Sequence, residues 1–165
     1  MIIRIAKQDD AEKLIDLIRQ VESEADFMLM EAGERNTTAE QQRKQIEHLE
    51  RQTNSTILVA EDAGTLAGYL FAIGGSAKRT KHAAYLVIGI LKAYRGQGVG
   101  TRLFQEVEKW ARDNNVSRLE LTAVTENKAG VALYKKSGFD VEGMKRQTLL
   151  INGEYYDEYV MGKVL

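Results

Sequence analysis

The sequence predicts a single domain of the α/β class, with a mixed, mostly antiparallel sheet of about seven strands flanked by helices. Two observations lead to this fold. Stretches with the two-residue apolar period of strands alternate with stretches whose apolar residues recur at helical spacing. No linker or internal repeat divides the chain, so residues 1–165 are predicted to form one domain.

The chain begins with a predicted strand and a predicted helix. Ile2–Ala6 alternates as a strand does, and Asp9 or Asp10 is placed to cap the helix that follows. The apolar face of this helix consists of Ala11, Leu14, Ile15, Leu17, Ile18 and Val21. Its regular spacing of three and four residues predicts that this face packs on the sheet.

A second helix follows an acidic connection that spans residues 22–38. Thr37 or Thr38 is placed to cap this helix, which is polar and is predicted to run to Gln52. Ile46 and Leu49 are its few apolar residues and are predicted to make its contacts with the core.

Three strands in succession form a predicted meander. Thr56–Glu61 and Thr65–Ile73 alternate, and the tripeptide at residues 62–64 has the composition of a hairpin turn. His82–Leu91 is the third strand. Gly89 interrupts it near its end, which predicts a β-bulge.

The second half of the chain predicts two helices and three strands. The first helix carries Val99, Leu103, Val107, Trp110 and Ala111 at helical spacing, and Trp110 is predicted to be core. The other elements are a strand at Ser117–Val124, a helix at Asn127–Ser137, strand segments at Phe139–Met144 and Lys145–Ile151, and a last strand at Glu154–Val164. Asn152-Gly153 is typical of a type I′ turn. The predicted order is β-α-α-β-β-β-α-β-α-β-β.

Composition limits the classes of function. The 23 basic and 24 acidic residues give a net charge of −1, which does not favour nucleic-acid binding. No apolar run reaches the roughly 18 residues of a membrane span, and no membrane association is expected. There is no cysteine, so a thiolate nucleophile is excluded, and the two histidines give no metal-ligand spacing. We expect a cytoplasmic protein.

The segment Tyr94–Thr101 is the most informative part of the sequence. Gly96, Gly98 and Gly100 alternate within it, directly before an amphipathic helix. Glycine lets the backbone approach a ligand closely, and a helix N-terminus offers free N–H groups and partial positive charge. Together these features predict a cradle for a phosphate or pyrophosphate group.

Three interpretations of this segment compete on its residues alone. A P-loop is excluded because no glycine is followed by Lys-Ser or Lys-Thr. A dinucleotide-binding turn fits Gly96 and Gly98, with Glu120 as the acidic residue, but Thr101 stands where a small residue is needed. A flexible turn that merely caps a helix is the third.

The residues Arg95–Gly100 have the spacing R-x-x-G-x-G, which is similar to the acyl-CoA loop of the GNAT superfamily of N-acetyltransferases. Asn127–Phe139 resembles the second signature of that superfamily, N-x-x-A-x-x-[FL]-Y-x-[KR]-x-G-F, in which the alanine position falls on Gly130 or slips to Ala129. Leu150–Glu158 resembles the end of the branch that contains ribosomal-protein alanine and spermidine acetyltransferases. The element order agrees with this superfamily over the whole chain.

The resemblance implies an enzyme that moves the acetyl group of acetyl-CoA to a primary amine, in a small molecule or a peptide. It further implies direct transfer within a ternary complex, since no cysteine can carry the acetyl group. The implied cofactor-binding residues are Ile88, Gly89, Ile90, Arg95, Gly96, Gln97, Gly98, Val99, Gly100, Thr101 and Asn127. Residues 88–91 would diverge from the strand at Ser117–Val124 and admit the pantetheine arm.

Tyr134 matches the general acid of the superfamily. A phenol with a pKa of about 10 can donate a proton to a leaving thiolate, whose conjugate acid has a pKa near 8.5. From spacing alone, Tyr134 reads equally as an aromatic residue that packs on the sheet. Candidates for the general base are Glu31, Glu34, Glu61, His82 and Tyr85, and the sequence selects none of them.

The acceptor side is predicted from residues 22–34, which contain five carboxylates and no basic residue. Glu31 and Glu34 are the candidate substrate-binding residues, in a negative rim above the apolar residues at 27–30. A solvated acidic loop is the plainer interpretation. Two other functions stay open: a non-catalytic acyl-CoA-binding regulatory module, and a nucleotide-dependent oxidoreductase. A homodimer is a further expectation.

Overall fold

A seven-stranded sheet forms the centre of the structure, a computed structural model that describes residues 1–165. Its strands are β1 (Ile2–Ile5), β2 (Thr56–Asp62), β3 (Thr65–Gly74), β4 (Ala83–Ile90), β5 (Arg118–Val124), β6 (Asp140–Ile151) and β7 (Glu154–Val164). The helices are α1 (Ala11–Glu24), α2 (Ala39–Glu50), α3 (Val99–Asp113) and α4 (Lys128–Lys136), with short 3-10 turns at Gln8–Asp10 and Lys92–Tyr94. None of the helices has the length and hydropathy of a membrane span.

The strand order is β1-β2-β3-β4-β5-β7-β6. Every neighbouring pair is antiparallel except β4 and β5, which are parallel because α3 forms the crossover between them. The predicted α/β class, the element order and the mixed, mostly antiparallel sheet are therefore confirmed.

The sheet is covered on both faces, because successive residues of a strand point to opposite sides. On one face, Leu70 and Leu86 pack with the apolar residues of α3, such as Leu103 and Val107. On the other face, the neighbouring residues of β3 pack against α1 and α2. Trp110, predicted to be core, is only partly buried and lies at the border of the first core.

The helix caps follow the sequence in one case and depart from it in the other. Thr38 caps α2 and forms a capping box with Gln41, as the composition predicts. Asp10 stands at the start of α1, but its carboxylate accepts hydrogen bonds from the Arg4 guanidinium and from the Lys7 backbone N–H instead. These bonds hold the pKa of Asp10 below its ordinary value.

Gly89 does not lie at a β-bulge, so that prediction is wrong. The pairing of β4 with β3 runs without a register shift from Gly74↔Ala84 to Gly68↔Ile90. A glycine is required for a different reason: the ring of Tyr69 on β3 lies across this position. A Cβ at residue 89 would stand 2.5 Å from Cζ of Tyr69.

Gly89→Ala is therefore expected to destabilise the protein by about 1–3 kcal/mol, because the added methyl group forces the buried Tyr69 ring to move. Chemical denaturation measures the loss. Gly143→Ala is the matched control, since residue 143 is also a strand glycine and a Cβ there would meet nothing within 4 Å. Equal stability of Gly89→Ala and wild type would show that the Tyr69 ring is free to give way.

Candidate functional site

A gap opens in the middle of the sheet between β4 and β5. The two strands pair only where Ala83–Tyr85 faces Arg118–Glu120. Beyond that point they diverge, although β5 stays paired with β7 along its full length. Backbone groups of residues 86–90 that face the gap thus have no strand partner, as the predicted divergence of this segment requires.

The glycine-rich segment lies at the open end of this gap, between the end of β4 and the start of α3. Gly96 and Gly98 have φ of 72° and 82°, a left-handed conformation that other residues adopt at a cost. The first intrahelical bond of α3 is donated by the Arg102 N–H to the Gly98 carbonyl, 3.0 Å away. The N–H groups of residues 99–101 are therefore free at the helix start, where an anion is favoured.

Side chains stabilise the glycine-rich segment by hydrogen bonds, two to the turn and strand end that precede it and one from α1. Gln97 Nε2 donates to the Ala93 carbonyl at 2.9 Å, and Arg95 Nε donates to the Ile90 carbonyl at 3.3 Å. The Lys92 N–H donates to Glu24 Oε1 at 3.0 Å, which ties the end of α1 to the turn before the glycines.

Helix α3 begins close to α4. Val99 and Gly100 are buried and Thr101 is partly buried. A Cβ at residue 100 would stand 2.7 Å from Leu133 Cδ2 on α4. The glycine at this position thus serves the packing of the two helices as well as the shape of the segment.

Tyr134 extends from α4 toward the same region. Its ring packs edge-on against Phe104, with the centroids 5.7 Å apart. Burial, with a smaller contribution from Tyr85, raises the pKa of Tyr134 to about 12. The phenol is therefore a neutral proton donor at physiological pH, with no hydrogen-bond partner in the protein.

Asn127 stands at the end of β5 and caps α4, where its Oδ1 accepts the Gly130 N–H at 3.1 Å. In this conformation a Cβ at residue 130 would lie 2.5 Å from Asn127 Nδ2, so an alanine there would require the amide to shift. A contact of Asn127 with the pantetheine arm stays a prediction.

The opposite face of the sheet carries a buried ion pair that the sequence analysis missed. Glu22 is 4% exposed and accepts three hydrogen bonds from Arg35, which stands just outside the acidic window of residues 22–34. The signal was present: Glu22 follows Ile15 and Ile18 at the helical spacing of the apolar face. Tyr69 lies close enough for both charges to act on its hydroxyl, and burial raises the pKa of Tyr69 far above its ordinary value.

Fewer carboxylates of residues 22–34 are free than the composition of this segment suggested. Glu22 is paired and Glu24 is bonded to the turn after β4, which leaves Asp26, Glu31 and Glu34. These three residues are exposed, and Glu34 Oε1 accepts the Glu31 N–H at 3.3 Å. We call them the acidic rim.

The connection between α1 and α2 reaches the far half of the sheet. Phe27 packs edge-on against Tyr156 of β7, with the ring centroids 5.6 Å apart. Met28 packs against the core beneath α1, whereas Leu29 is 80% exposed. The predicted apolar floor is therefore formed in part, by Phe27 and Met28.

The candidates for the general base lie in different parts of the structure. Glu61 is bonded to Arg4 at 2.7 Å in the outer strands. His82 is exposed and precedes β4 at the closed end of the gap. Tyr85 bridges the diverging strands, with its hydroxyl 2.8 Å from Thr122 Oγ1. Glu120, the acidic residue of the dinucleotide interpretation, is bonded to Arg118 at 3.0 Å.

The chain is similar to known acetyltransferases along most of its length. The pattern that defines the Acetyltransferase (GNAT) family matches residues 15–139. An L-amino acid N-acetyltransferase of Escherichia coli is 34% identical over 111 residues, covering 65% of this chain and 67% of that protein. An N-alpha-acetyltransferase of Mycobacterium tuberculosis is 38% identical over 106 residues, covering 62% of this chain and 61% of that protein. The two alignments thus cover about two thirds of the first relative and somewhat less of the second.

A solved structure agrees over the whole fold. A GNAT-family acetyltransferase from Streptococcus pneumoniae superimposes with a TM-score of 0.95 at 32% sequence identity, covering 99% of this chain and 98% of that one. The predicted family is confirmed, and the nucleotide-dependent oxidoreductase is set aside with it. The chain therefore belongs to the acetyltransferase (GNAT) family and is an N-acetyltransferase whose cosubstrate is acetyl-CoA.

Proposed function

We propose that this enzyme acetylates a primary amine of a small molecule or peptide by direct transfer in a ternary complex. The gap between β4 and β5 carries the proposal, because it joins an anion cradle at its mouth to the neutral phenol of Tyr134. The names of the Escherichia coli and Mycobacterium tuberculosis relatives, which describe acceptors that are amino acids or α-amines, support such an acceptor.

The residues present fit acetyl-CoA. The free N–H groups of residues 99–101 and the positive end of α3 would hold the pyrophosphate, with Arg95 and the glycines around it. The unpaired backbone of Ile88–Ile90 would bind the amides of the pantetheine arm as an added strand. Asn127 stands at the end of the facing strand to complete the site.

Acetyl-CoA supplies the acetyl group as a thioester. The lone pair of the amine forms the new C–N bond as the C–S bond breaks, and the amine proton passes to water. Tyr134 donates its proton to the departing sulfur and recovers one from solvent. A backbone N–H near Gly89 would polarise the carbonyl while the bonds exchange.

A non-catalytic acyl-CoA-binding module is the second candidate, and a turnover assay separates the two. Release of free CoA is followed with a thiol reagent while amines of different classes are supplied. The proposal expects amine-dependent CoA release. Saturable acetyl-CoA binding without release, with every amine tested, would favour the regulatory module.

The acidic rim would draw a cationic amine into the site. We therefore propose a polyamine, an aminoglycoside-like base or a peptide amine as the acceptor, rather than an acidic amino acid. The apolar floor at Phe27 and Met28 would receive the body of such a molecule.

Replacing Glu31 and Glu34 by Gln is expected to raise KM for the amine by about 2- to 5-fold, because exposed charges contribute little each. KM for acetyl-CoA is expected not to change, since only the acceptor passes the rim. Steady-state kinetics with both substrates varied measures this. The control replaces Glu12 by Gln and Asp16 by Asn, two exposed carboxylates on the outer face of α1. An unchanged KM for the amine would remove the rim from acceptor binding.

Location in the cytoplasm and the homodimer stay predictions. β6 is an edge strand with exposed apolar residues, among them Val141 and Met144, and such an edge is a surface that a second copy would cover.

A further inference from the structure

Arg35 is bound to Glu22 along one edge only. Arg35 Nε lies 3.0 and 3.1 Å from the two carboxylate oxygens of Glu22, and Nη2 lies 2.8 Å from Oε2. Nη1 and its two N–H groups have no partner in the protein. The Glu22 side chain is 3% exposed and that of Arg35 is 26% exposed, so the free edge of the guanidinium is the part that remains accessible.

Arginine has five N–H donors in a fixed fork, and a single carboxylate engages only one edge of it. The donors of Nη1 remain accessible and are therefore available to an oxygen acceptor other than Glu22. The bond to Glu22 fixes the orientation of the fork. It also keeps the Arg35 pKa raised, so the group stays cationic. Arg35 is thus preorganised to receive an oxygen acceptor.

Tyr69 connects this ion pair to the site of transfer. Both Glu22 and Arg35 act on its hydroxyl, which has no hydrogen-bond partner in the protein. Its ring lies across Gly89 on β4, the strand that borders the gap, and Tyr134 also lies close enough to act on it. Unpaired polar groups thus lead from the connection between α1 and α2 to the strand where the acetyl group would lie.

We propose that Arg35 binds the oxygen next to the acceptor amine, a carboxylate or a carbonyl, and that the enzyme therefore prefers α-amino acceptors. The Tyr69 hydroxyl accepts a hydrogen bond from the amine itself. This inference rests on the proposed function and selects within it, because polyamines have no such oxygen. The charges suit such a molecule, because the acidic rim attracts its ammonium group during approach and the cationic Arg35 then binds its oxygen.

The test compares amines that differ only in this oxygen. L-Leucinamide has the carbonyl, L-leucine has the carboxylate, and isoamylamine has the same side chain with neither. L-Phenylalaninamide and phenethylamine form a second pair, and spermidine represents the polyamines. In wild type, kcat/KM is expected to be about 10- to 100-fold higher for each amide, or for leucine, than for its matched amine. Leucine against leucinamide distinguishes a free amino acid from a peptide end.

Arg35→Lys is expected to remove most of this preference by raising KM for the oxygen-bearing acceptors, with isoamylamine unaffected. Lysine keeps the charge opposite Glu22 but loses the fork. Arg19→Lys is the matched control, because Arg19 Nη2 also bonds this connection, at the Thr37 carbonyl, 2.6 Å away. Should Arg35→Lys fail to fold, the double variant Glu22→Gln with Arg35→Gln leaves no unpaired buried charge and is expected to show the same loss of preference.

Equal kcat/KM for each amide and its matched amine in wild type would overturn the inference, as would spermidine as the best acceptor. So would an equal loss with every acceptor in Arg35→Lys, which marks a clamp that only holds the connection. Each of these results leaves amine acetylation standing. Only the absence of CoA release with all amines, at saturating acetyl-CoA, would overturn the proposed function as well.

Discussion

Gly98→Glu is expected to abolish the thermal protection that acetyl-CoA gives the wild-type protein. Residue 98 has a φ of 82° and lies directly before the free N–H groups of α3. A carboxylate there adds bulk and like charge where the pyrophosphate would approach. At a ligand concentration about 100 times Kd, wild type should gain about 2.7 kcal/mol, or about 5–11 °C in Tm for a chain of this size.

Gly64→Glu separates this effect from backbone strain. Residue 64 has a φ of 86° in the turn between β2 and β3, and a Cβ at either position would meet nothing within 4 Å. Both variants should therefore lose a similar amount of intrinsic stability, about 1–2 kcal/mol. Only Gly98→Glu should lose the shift with acetyl-CoA in differential scanning fluorimetry. Full protection of Gly98→Glu would refute the cradle.

Tyr134→Phe is expected to lower kcat by about 10²-fold or more while KM for acetyl-CoA stays near the wild-type value. The ring packs against Phe104 with or without its hydroxyl, so the substitution removes the proton and keeps the packing. Tyr155→Phe, at a side chain 62% exposed, is the control. Wild-type turnover in Tyr134→Phe would leave Tyr134 with a packing role only.

The pH dependence follows from the direction of the Tyr134 shift. Its pKa of about 12 lies above that of a free phenol, so the neutral donor persists at pH values where an ordinary tyrosine has ionised. Ionisation of Tyr134 is therefore expected not to lower kcat up to about pH 10. A fall in kcat below that pH, present in wild type and absent in Tyr134→Phe, would contradict the raised pKa.

The sequence was sufficient to predict the elements that depend on residues close together in the chain. The capping box at Thr38, the left-handed turn at Asn152-Gly153 and the glycine segment at the start of α3 are each set by residues close in the chain. The element order followed from apolar periodicity, because every helix and most strands contribute buried apolar residues to a core, whereas β6 has no buried residue.

The departures arise where distant residues meet. The Asp10 carboxylate binds Arg4 instead of capping α1. Residue 89 is a glycine because the Tyr69 ring of the neighbouring strand leaves no room for a Cβ. Arg35 was outside the acidic window, yet the fold pairs it with Glu22, 13 residues earlier. Sequence patterns do not report contacts between residues that are distant in the chain. These contacts decide which charged side chains are paired and which are exposed to a ligand.

The gap between β4 and β5 also divides the sheet mechanically. Four strands lie on one side and three on the other, and only three residue pairs of a parallel ladder join them. This seam is where the unliganded sheet has fewest interstrand bonds, so local opening should concentrate there. A ligand that fills the seam acts as a missing strand and joins the two halves. Because the cosubstrate would bind to the unpaired backbone of this seam, the rigidity of the whole sheet should depend on whether the cosubstrate is bound.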